Sequence, residues 1–188
     1  MANIDFPSGL RVIANPNGDA PRVQLMDCVS TVLYKGALAL LSSTGLVSLM
    51  TSSVITSTLA KRIIGVFVEH KAAGAHSTDG GVSKTLVYTD PNQLYVIQSD
   101  DATLASPTNY VGRNFPLIGM STGSTLGDSA GEIDGDAGSS ATTSSVACVV
   151  KVIREYSGRA LDGDLTANGK FIVQINPKFH LLANNGGV

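Results

Sequence analysis

Apolar and polar residues alternate over short stretches of this chain and follow no long helical period. Seven segments are rich in Val, Ile, Leu, Thr or Tyr, which favour strands. The predicted strands are 31–41, 46–55, 62–70, 82–89, 94–99, 146–156 and 170–176. Clusters of Gly, Pro, Asn, Asp and Ser separate them, and these residue types form turns. The pattern predicts an all-β fold, either a β-barrel or a jelly-roll-like sandwich.

Two of the predicted strands differ in how far they should be buried. In 170–176, Phe171, Val173 and Ile175 share one face, and Lys170, Gln174 and Asn176 lie on the other, so one face is expected to meet the core. The stretch "SVACVVKVI" (145–153) is apolar on both faces. Both faces of this strand must therefore be shielded from water, by a loop, a second sheet or another subunit.

Two regions depart from the strand pattern. Residues 1–27 contain three prolines and three asparagines without a sustained period, which predicts an extended N-terminal arm held by a partner. Residues 121–145 contain seven Ser, five Gly and four Thr, which predicts a long exposed loop. The expected organisation is this arm, a single β domain over 28–180 that includes the loop, and a flexible C-terminal tail at 181–188.

Charge and hydropathy limit the classes of partner that the chain is expected to bind. Thirteen basic and fifteen acidic residues give a net charge of −2, and the longest basic run is the pair Lys61 and Arg62, so no nucleic-acid partner is expected. The uncharged stretch 36–60 is long enough to span a bilayer. Ten of its residues are Ser or Thr and "SSTG" (42–45) interrupts it, which favours a hairpin and no membrane partner.

The compartment follows from the N-terminus and the cysteines. No basic region followed by an apolar stretch begins the sequence, so no secretory signal is expected. Cys28 and Cys148 both lie beside apolar residues, which predicts two buried free thiols, with a disulfide as the lesser alternative. We expect a protein made and folded in a reducing cytoplasm.

The residues capable of catalysis do not form a recognisable constellation. The three histidines are His70, His76 and His180. No G-x-S-x-G motif is present, and neither cysteine has a known nucleophile context. The sequence therefore predicts no catalytic residue and no enzyme.

Acidic residues crowd two Gly-containing stretches. Asp128, Asp134 and Asp136 lie in the first, and Asp162, Asp164 and Asn168 lie in the second. The second, "DGDLTANG", begins like a calcium loop. Its Gly169 falls at the eighth position instead of the sixth, and Val173 takes the twelfth, where a bidentate Glu belongs. Solvated turns are expected, and no metal ligand is predicted.

Phosphate cofactors are also excluded by the motifs. The stretch "GDSAGEIDGDAG" (127–138) spaces its glycines loosely and contains no Lys for phosphate. It is acidic where an anion would have to sit. No cofactor and no cofactor-binding residue are predicted.

The segment "YTDPNQLYVIQSDD" (88–101) gathers carboxylates, amides and tyrosines. Asp90, Pro91 and Asn92 each favour a turn, so "DPNQ" is expected to join two strands. Asp100 and Asp101 fall at the end of the second strand, where charges meet solvent. The segment is predicted to be a joint between strands and not a catalytic site.

The order of several segments resembles a known family. The segments are "YKGALALLSSTGLV" (34–47), "RIIGVFVEH" (62–70), "VYTDPNQLYVIQSDD" (87–101), "YVGRN" (110–114), "VACVVKVI" (146–153) and "GKFIVQINPKFH" (169–180). Together they resemble the small tailed-phage virion proteins that decorate or cement the capsid. The resemblance covers residues 32–180, and "DPNQLYVIQ" is its most distinctive part.

The resemblance implies a β-barrel or jelly-roll-like protein without enzymatic activity on the outer surface of a phage head. It implies that the protein binds the major capsid protein across subunit joints, stabilises the shell, and forms a homo-oligomer, a dimer or a trimer. The alternative is a tail- or fibre-associated module that binds the host surface or carbohydrate. With 5% aromatic residues and no Trp, the chain has few of the flat rings on which sugars stack.

Overall fold

The architecture was obtained as a computed structural model, which describes residues 7–15, 18–50, 62–73, 78–79, 82–100, 110–135, 148–156 and 168–183. These residues contain thirteen strands. They are β1 (Arg11–Ala14), β2 (Val23–Cys28), β3 (Leu38–Leu41), β4 (Val47–Leu49), β5 (Ile63–Phe67), β6 (Thr78–Asp79), β7 (Val82–Tyr88), β8 (Leu94–Gln98), β9 (Asn114–Phe115), β10 (Leu117–Ile118), β11 (Glu132–Ile133), β12 (Val150–Glu155) and β13 (Lys170–Ile175). The all-β prediction is confirmed, and each of the seven predicted segments contains a strand.

Five strands close into a barrel. They follow the order β2-β4-β3-β5-β7, and β7 pairs with β2 to complete the ring. The β2–β7 pairing is antiparallel and runs from Val23 opposite Tyr88 to Cys28 opposite Ser83, whereas β2 meets β4 in parallel at Val47. The barrel interior is filled by buried apolar side chains, namely Cys28, Leu33, Ala37, Ala39, Val47, Leu49, Ile64, Phe67 and Val87. The predicted barrel is confirmed.

A second sheet packs against the outside of the barrel. Its strands follow the order β1-β8-β13-β12-β9, and each neighbouring pair is antiparallel. Tyr95 and Phe171 of this sheet share a core with Leu38, Leu40 and other residues on the outer side of the barrel. Because side chains alternate between faces, β3 and β5 are buried on both sides. This explains why "LALL" and "IIGVF" are almost entirely apolar.

The expected N-terminal arm is wrong for the described residues of 1–27. β1 pairs with β8 in the second sheet, and β2 contributes six residue pairs with β7 and closes the barrel. The segment is extended, but its partner is its own chain. The pattern of β2 concealed this because Val23 and Leu25 are exposed, which leaves the strand without a clear apolar inner face.

The expected exposed loop at 121–145 is right for residues 122 and 124–126, which are exposed, and wrong for 127–135, which are buried or half-buried. Residues 136–145 lie outside the described part. Ser129 and Ile133 are fully buried, and β11 pairs with β10. Two glycines allow this loop to press against the barrel, because a Cβ at Gly123 would enter the Tyr34 ring and one at Gly127 would enter the His70 ring. Glycine therefore permits burial here instead of indicating exposure.

The expected C-terminal tail is wrong at its start. Leu181 packs against the barrel core, and its amide donates a hydrogen bond to the carbonyl of Ile63 at 2.7 Å. Residues 184–188 lie outside the described part. In the described residues, no helix combines the length and hydrophobicity needed to cross a bilayer.

Candidate functional site

Among the acidic residues considered as metal ligands, the structure describes Asp128 and Asp134, and these two do not join a metal-binding group. Within the described ranges, no three His, Cys, Asp or Glu side chains form a metal-binding group. Asp128 faces Arg11, with 3.7 Å between carboxylate and guanidinium, and the Asp134 amide donates to the carbonyl of Pro116. Asn168 has a positive φ of 72°, typical of a turn. Asp136, Asp162 and Asp164 lie outside the described residues.

The histidines lie in contrasting surroundings. His70 is exposed, and its ring stacks on Tyr34 with the centroids 6.0 Å apart. His180 is completely buried beside β5, where its backbone bridges Ile63. His76 lies outside the described residues. The structure gives no described histidine a nucleophile as a hydrogen-bond partner.

Both cysteines are free and buried, as predicted. Burial raises the pKa of the Cys28 thiol, and Lys71 opposes this shift. Burial likewise raises the pKa of the Cys148 thiol, with the nearby Asp134 carboxylate adding to it. Both effects reduce the population of the reactive thiolate at neutral pH.

Thiol reactivity is therefore expected to report on unfolding. In the native protein, both thiols should react with an aromatic disulfide reagent at least about tenfold more slowly than in denaturant, because few thiolates form and access is blocked. Denaturation should release two thiols per chain. Rapid reaction of either thiol in the native protein would show that its surroundings are open.

The "DPNQ" segment forms the predicted turn. The Gln93 amide donates to the Asp90 carbonyl at 3.2 Å, and the Asn92 amide donates to the Asp90 carboxylate at 2.8 Å. The Asn15 side-chain amide donates to the other carboxylate oxygen of Asp90 at 2.6 Å. Gln174 of β13 also donates to the carbonyl of Pro91 at 3.0 Å. The turn thus connects β7 of the barrel to β8 of the second sheet and is held by residues from two other segments.

A buried polar cluster lies beside this turn. We call Thr89, Asp90, Tyr95 and His180 the Asp90 cluster. The Thr89 hydroxyl, the Tyr95 hydroxyl and Nε2 of His180 are buried and have no hydrogen-bond partner among the described residues. The Asp90 carboxylate acts electrostatically on both Tyr95 and His180. Buried polar groups of this kind commonly bind ordered water.

Burial keeps His180 and Tyr95, two members of the cluster, neutral. Burial lowers the pKa of His180 from 6.5 to about 4, although the Asp90 carboxylate opposes the shift. The Leu182 amide donates to Nδ1 at 3.3 Å, which assigns the proton of the neutral ring to Nε2. Burial raises the pKa of the Tyr95 phenol well above its usual range. Tyr95 and His180 are fully buried and therefore offer no access to a substrate.

A second candidate is the outer face of the five-stranded sheet. Strand register places Arg11, Val96, Ile172 and Arg154 in one row across β1, β8, β13 and β12. The face also contains two exposed lysines, Lys151 and Lys170. We call the four basic residues, with Val96 and Ile172 between them, the cationic sheet face. The acidic residue of these strands, Glu155, lies opposite Phe171 and so on the inner side.

A shallow groove crosses one end of this face. Its volume is about 330 Å³, and it lies over β8 between β1 and the chain after β12. The side chains that give it its chemistry are Arg11, Ile13, Val96, Gln98, Tyr156 and Lys170. Ile13 and Tyr156 are about 40% exposed, at 38% and 41%. The groove therefore presents apolar surface between two cations.

The sequence did not reveal either feature. The cluster joins residues about 90 positions apart, and the cationic face combines four basic residues from three separate strands. To predict that Tyr95 and His180 lie close together, one would have to know how the chain passes from one sheet to the other. The signal available for the face was the outward position of Lys170 in the alternating segment 170–176.

Fold and surface define an all-β protein with a closed barrel, a packed second sheet and a basic outer face. The chain matches no protein-family model, and no curated protein or solved structure is significantly similar to it. Its function is therefore inferred from its own residues and from the segment resemblance.

Proposed function

We propose that this protein is a phage capsid decoration protein that binds the outer surface of the head across joints between major capsid protein subunits. The proposal rests on one observation, which is that segments over residues 32–180 resemble those of capsid decoration proteins and follow one another in the same order. These segments contribute strands to both sheets, and the most distinctive part of the resemblance, "DPNQLYVIQ", forms the joint between them. The resembling residues thus belong to one connected architecture.

The architecture suits a stabilising role on a shell. In the ring of five barrel strands, each strand pairs on both sides, which limits edge-to-edge pairing between copies crowded on a particle. The chain exposes 9286 Å² of surface. A standard interface covers about 800 Å² on each partner, so one shell contact would use roughly a tenth of the surface. Enough surface remains for contacts between copies of a homo-oligomer.

Binding to heads tests the proposal. Purified protein is expected to cosediment with heads that lack it and to raise the temperature at which those heads release their contents, because an added interface holds neighbouring subunits together. Electron microscopy of the complex should show density on the outside of the head. The same measurement with isolated tails provides the control.

Two results would contradict the proposal. The first is a virion in which the chain is absent from heads or confined to tails. The second is binding to host-surface glycans without binding to heads, which would support the alternative of a tail or fibre module.

A further inference from the structure

We propose that the cationic sheet face is the surface that docks on the shell, and that its partner is an acidic, carboxylate-bearing patch of the shell protein. This inference rests on the proposed function and adds the docking surface and the chemistry of the partner. It starts from four basic residues that three strands of one sheet place on the same side.

The four cations surround an apolar centre. Arg11 and Arg154 end a row that crosses four strands, so they are about 14 Å apart at the backbone, with neighbouring strands about 4.8 Å apart. Half-buried Val96 and buried Ile172, which is 2% exposed, lie between them. Lys170 is opposite Gln98 and Lys151 is opposite Gln174, which places the lysines toward opposite ends of the strands. The apolar surface that a partner can reach is that of half-buried Val96 and of the exposed Ile13 and Tyr156 in the groove. Apolar surface bordered by charge is the usual anatomy of a protein interface.

The described part of the chain offers these cations few acidic partners. Lys151, Arg154 and Lys170 form no ion pair among the described residues, and Arg11 reaches only Asp128, at 3.7 Å. Two lysines elsewhere in the fold do have acidic neighbours, since Lys71 lies 3.3 Å from Glu69 and Lys84 is opposite Asp27. The chain as a whole has a net charge of −2. A basic face on an acidic protein therefore attracts an acidic partner and orients the approach.

The composition of the face favours carboxylates of a protein over nucleic acid. Arg guanidinium groups can bind carboxylates in a bidentate manner, and Arg and Tyr are enriched at protein interfaces. The groove contributes Tyr156 and Ile13 as exposed apolar contacts beside Lys170 and Arg11. Four separated cations around apolar residues lack the continuous basic track that follows a phosphate backbone.

Charge reversal tests the inference. The variant Lys151→Glu, Arg154→Glu, Lys170→Glu is expected to bind heads at least about tenfold more weakly at about 150 mM salt, because attraction becomes repulsion. The matched control, Arg22→Glu, Lys35→Glu, Lys178→Glu, changes the net charge equally at exposed residues outside this face. It is expected to bind within about threefold of wild type. Circular dichroism and thermal unfolding establish that both variants are folded.

A glutamine series provides a milder substitution if the charge-reversed protein does not fold. Replacing Lys151, Arg154 and Lys170 with Gln should weaken binding and flatten its dependence on salt, since fewer ionic contacts remain to be screened. Wild-type affinity in this variant, or an equal loss in the control, would overturn the assignment of the face. The assignment would also be overturned if wild type bound duplex DNA and the charge-reversed variant did not, because the face would then recognise a polyanion.

The experiment separates the two levels of inference. If wild-type protein does not bind heads, the proposed function fails and the docking face fails with it. If wild type binds and the folded face variants bind equally well, only the docking face is wrong.

Discussion

A Gly65→Ala variant is expected to lose about 3 kcal/mol or more of its free energy of unfolding. Gly65 lies in the middle of β5 with a positive φ of 156°. A Cβ at this position would collide with the carbonyl oxygen of Tyr88, where β5 pairs with β7. Because that oxygen belongs to the backbone, it cannot rotate aside as a side chain could. The added methyl group must therefore push two barrel strands apart.

Urea unfolding of wild type and variant measures this loss, and Gly45→Ala is the matched control. Gly45 also has a positive φ, 82°, but a Cβ there would meet nothing within 4 Å. Its replacement should cost only the strain of a left-handed backbone, about 1 kcal/mol. Equal losses in the two variants would show that the close approach of β5 to Tyr88 is absent.

Acidification from pH 6.5 to about 4 is expected to remove about 3 kcal/mol of stability through His180. The pKa of this histidine has its ordinary value of 6.5 in the unfolded chain and falls to about 4 in the fold. Between these values the unfolded chain binds a proton that the folded chain does not bind, so stability falls as the pH falls. The contribution is fully present above pH 6.5 and is lost when the pH reaches the folded pKa.

The variant His180→Asn isolates this contribution because its side chain is uncharged at both limits and its oxygen can accept from the Leu182 amide, as Nδ1 does in wild type. Unfolding in urea at a series of pH values gives the stability of each protein. At neutral pH the variant should be less stable, since it fills less of the buried site. This deficit should shrink by about 3 kcal/mol toward pH 4.

A matched control distinguishes burial from the mere presence of a histidine. His70→Asn removes an exposed imidazole and leaves His180 in place. The stability difference between wild type and His180→Asn should narrow toward pH 4. The control His70→Asn keeps His180 and should therefore keep the acid-induced loss of stability that His180 causes. A constant difference between wild type and His180→Asn across the whole pH range would show that His180 is solvated in the fold.

Local residue patterns are sufficient for several features. The alternation of 170–176 predicts both the strand and its buried face, and Phe171, Val173 and Ile175 are all buried. The turn preferences of Asp90, Pro91 and Asn92 act over four residues, so the prediction of a turn at "DPNQ" is confirmed. The apolar neighbours of the two cysteines predict buried free thiols for the same reason.

Other features depend on distant partners and are missed by local patterns. The arm predicted over β2 is wrong because the pairing of β2 with β7 joins segments about 60 residues apart and leaves no mark on the pattern of β2 itself. The glycine content of 121–135 predicts exposure on composition alone. In the structure, Gly123 and Gly127 are required because Tyr34 and His70 lie directly above them.

The sequence by itself determined that the chain is all-β, where most of the long strands lie, and that a turn separates β7 from β8. These are properties of short stretches, in which side-chain alternation and backbone preference act directly. Tertiary structure alone decided the closure of the barrel, the burial of His180 beside Asp90, and the common face of Arg11, Arg154 and the two lysines. Each of these requires strands distant in sequence to pair in one register, and register fixes which side chains meet.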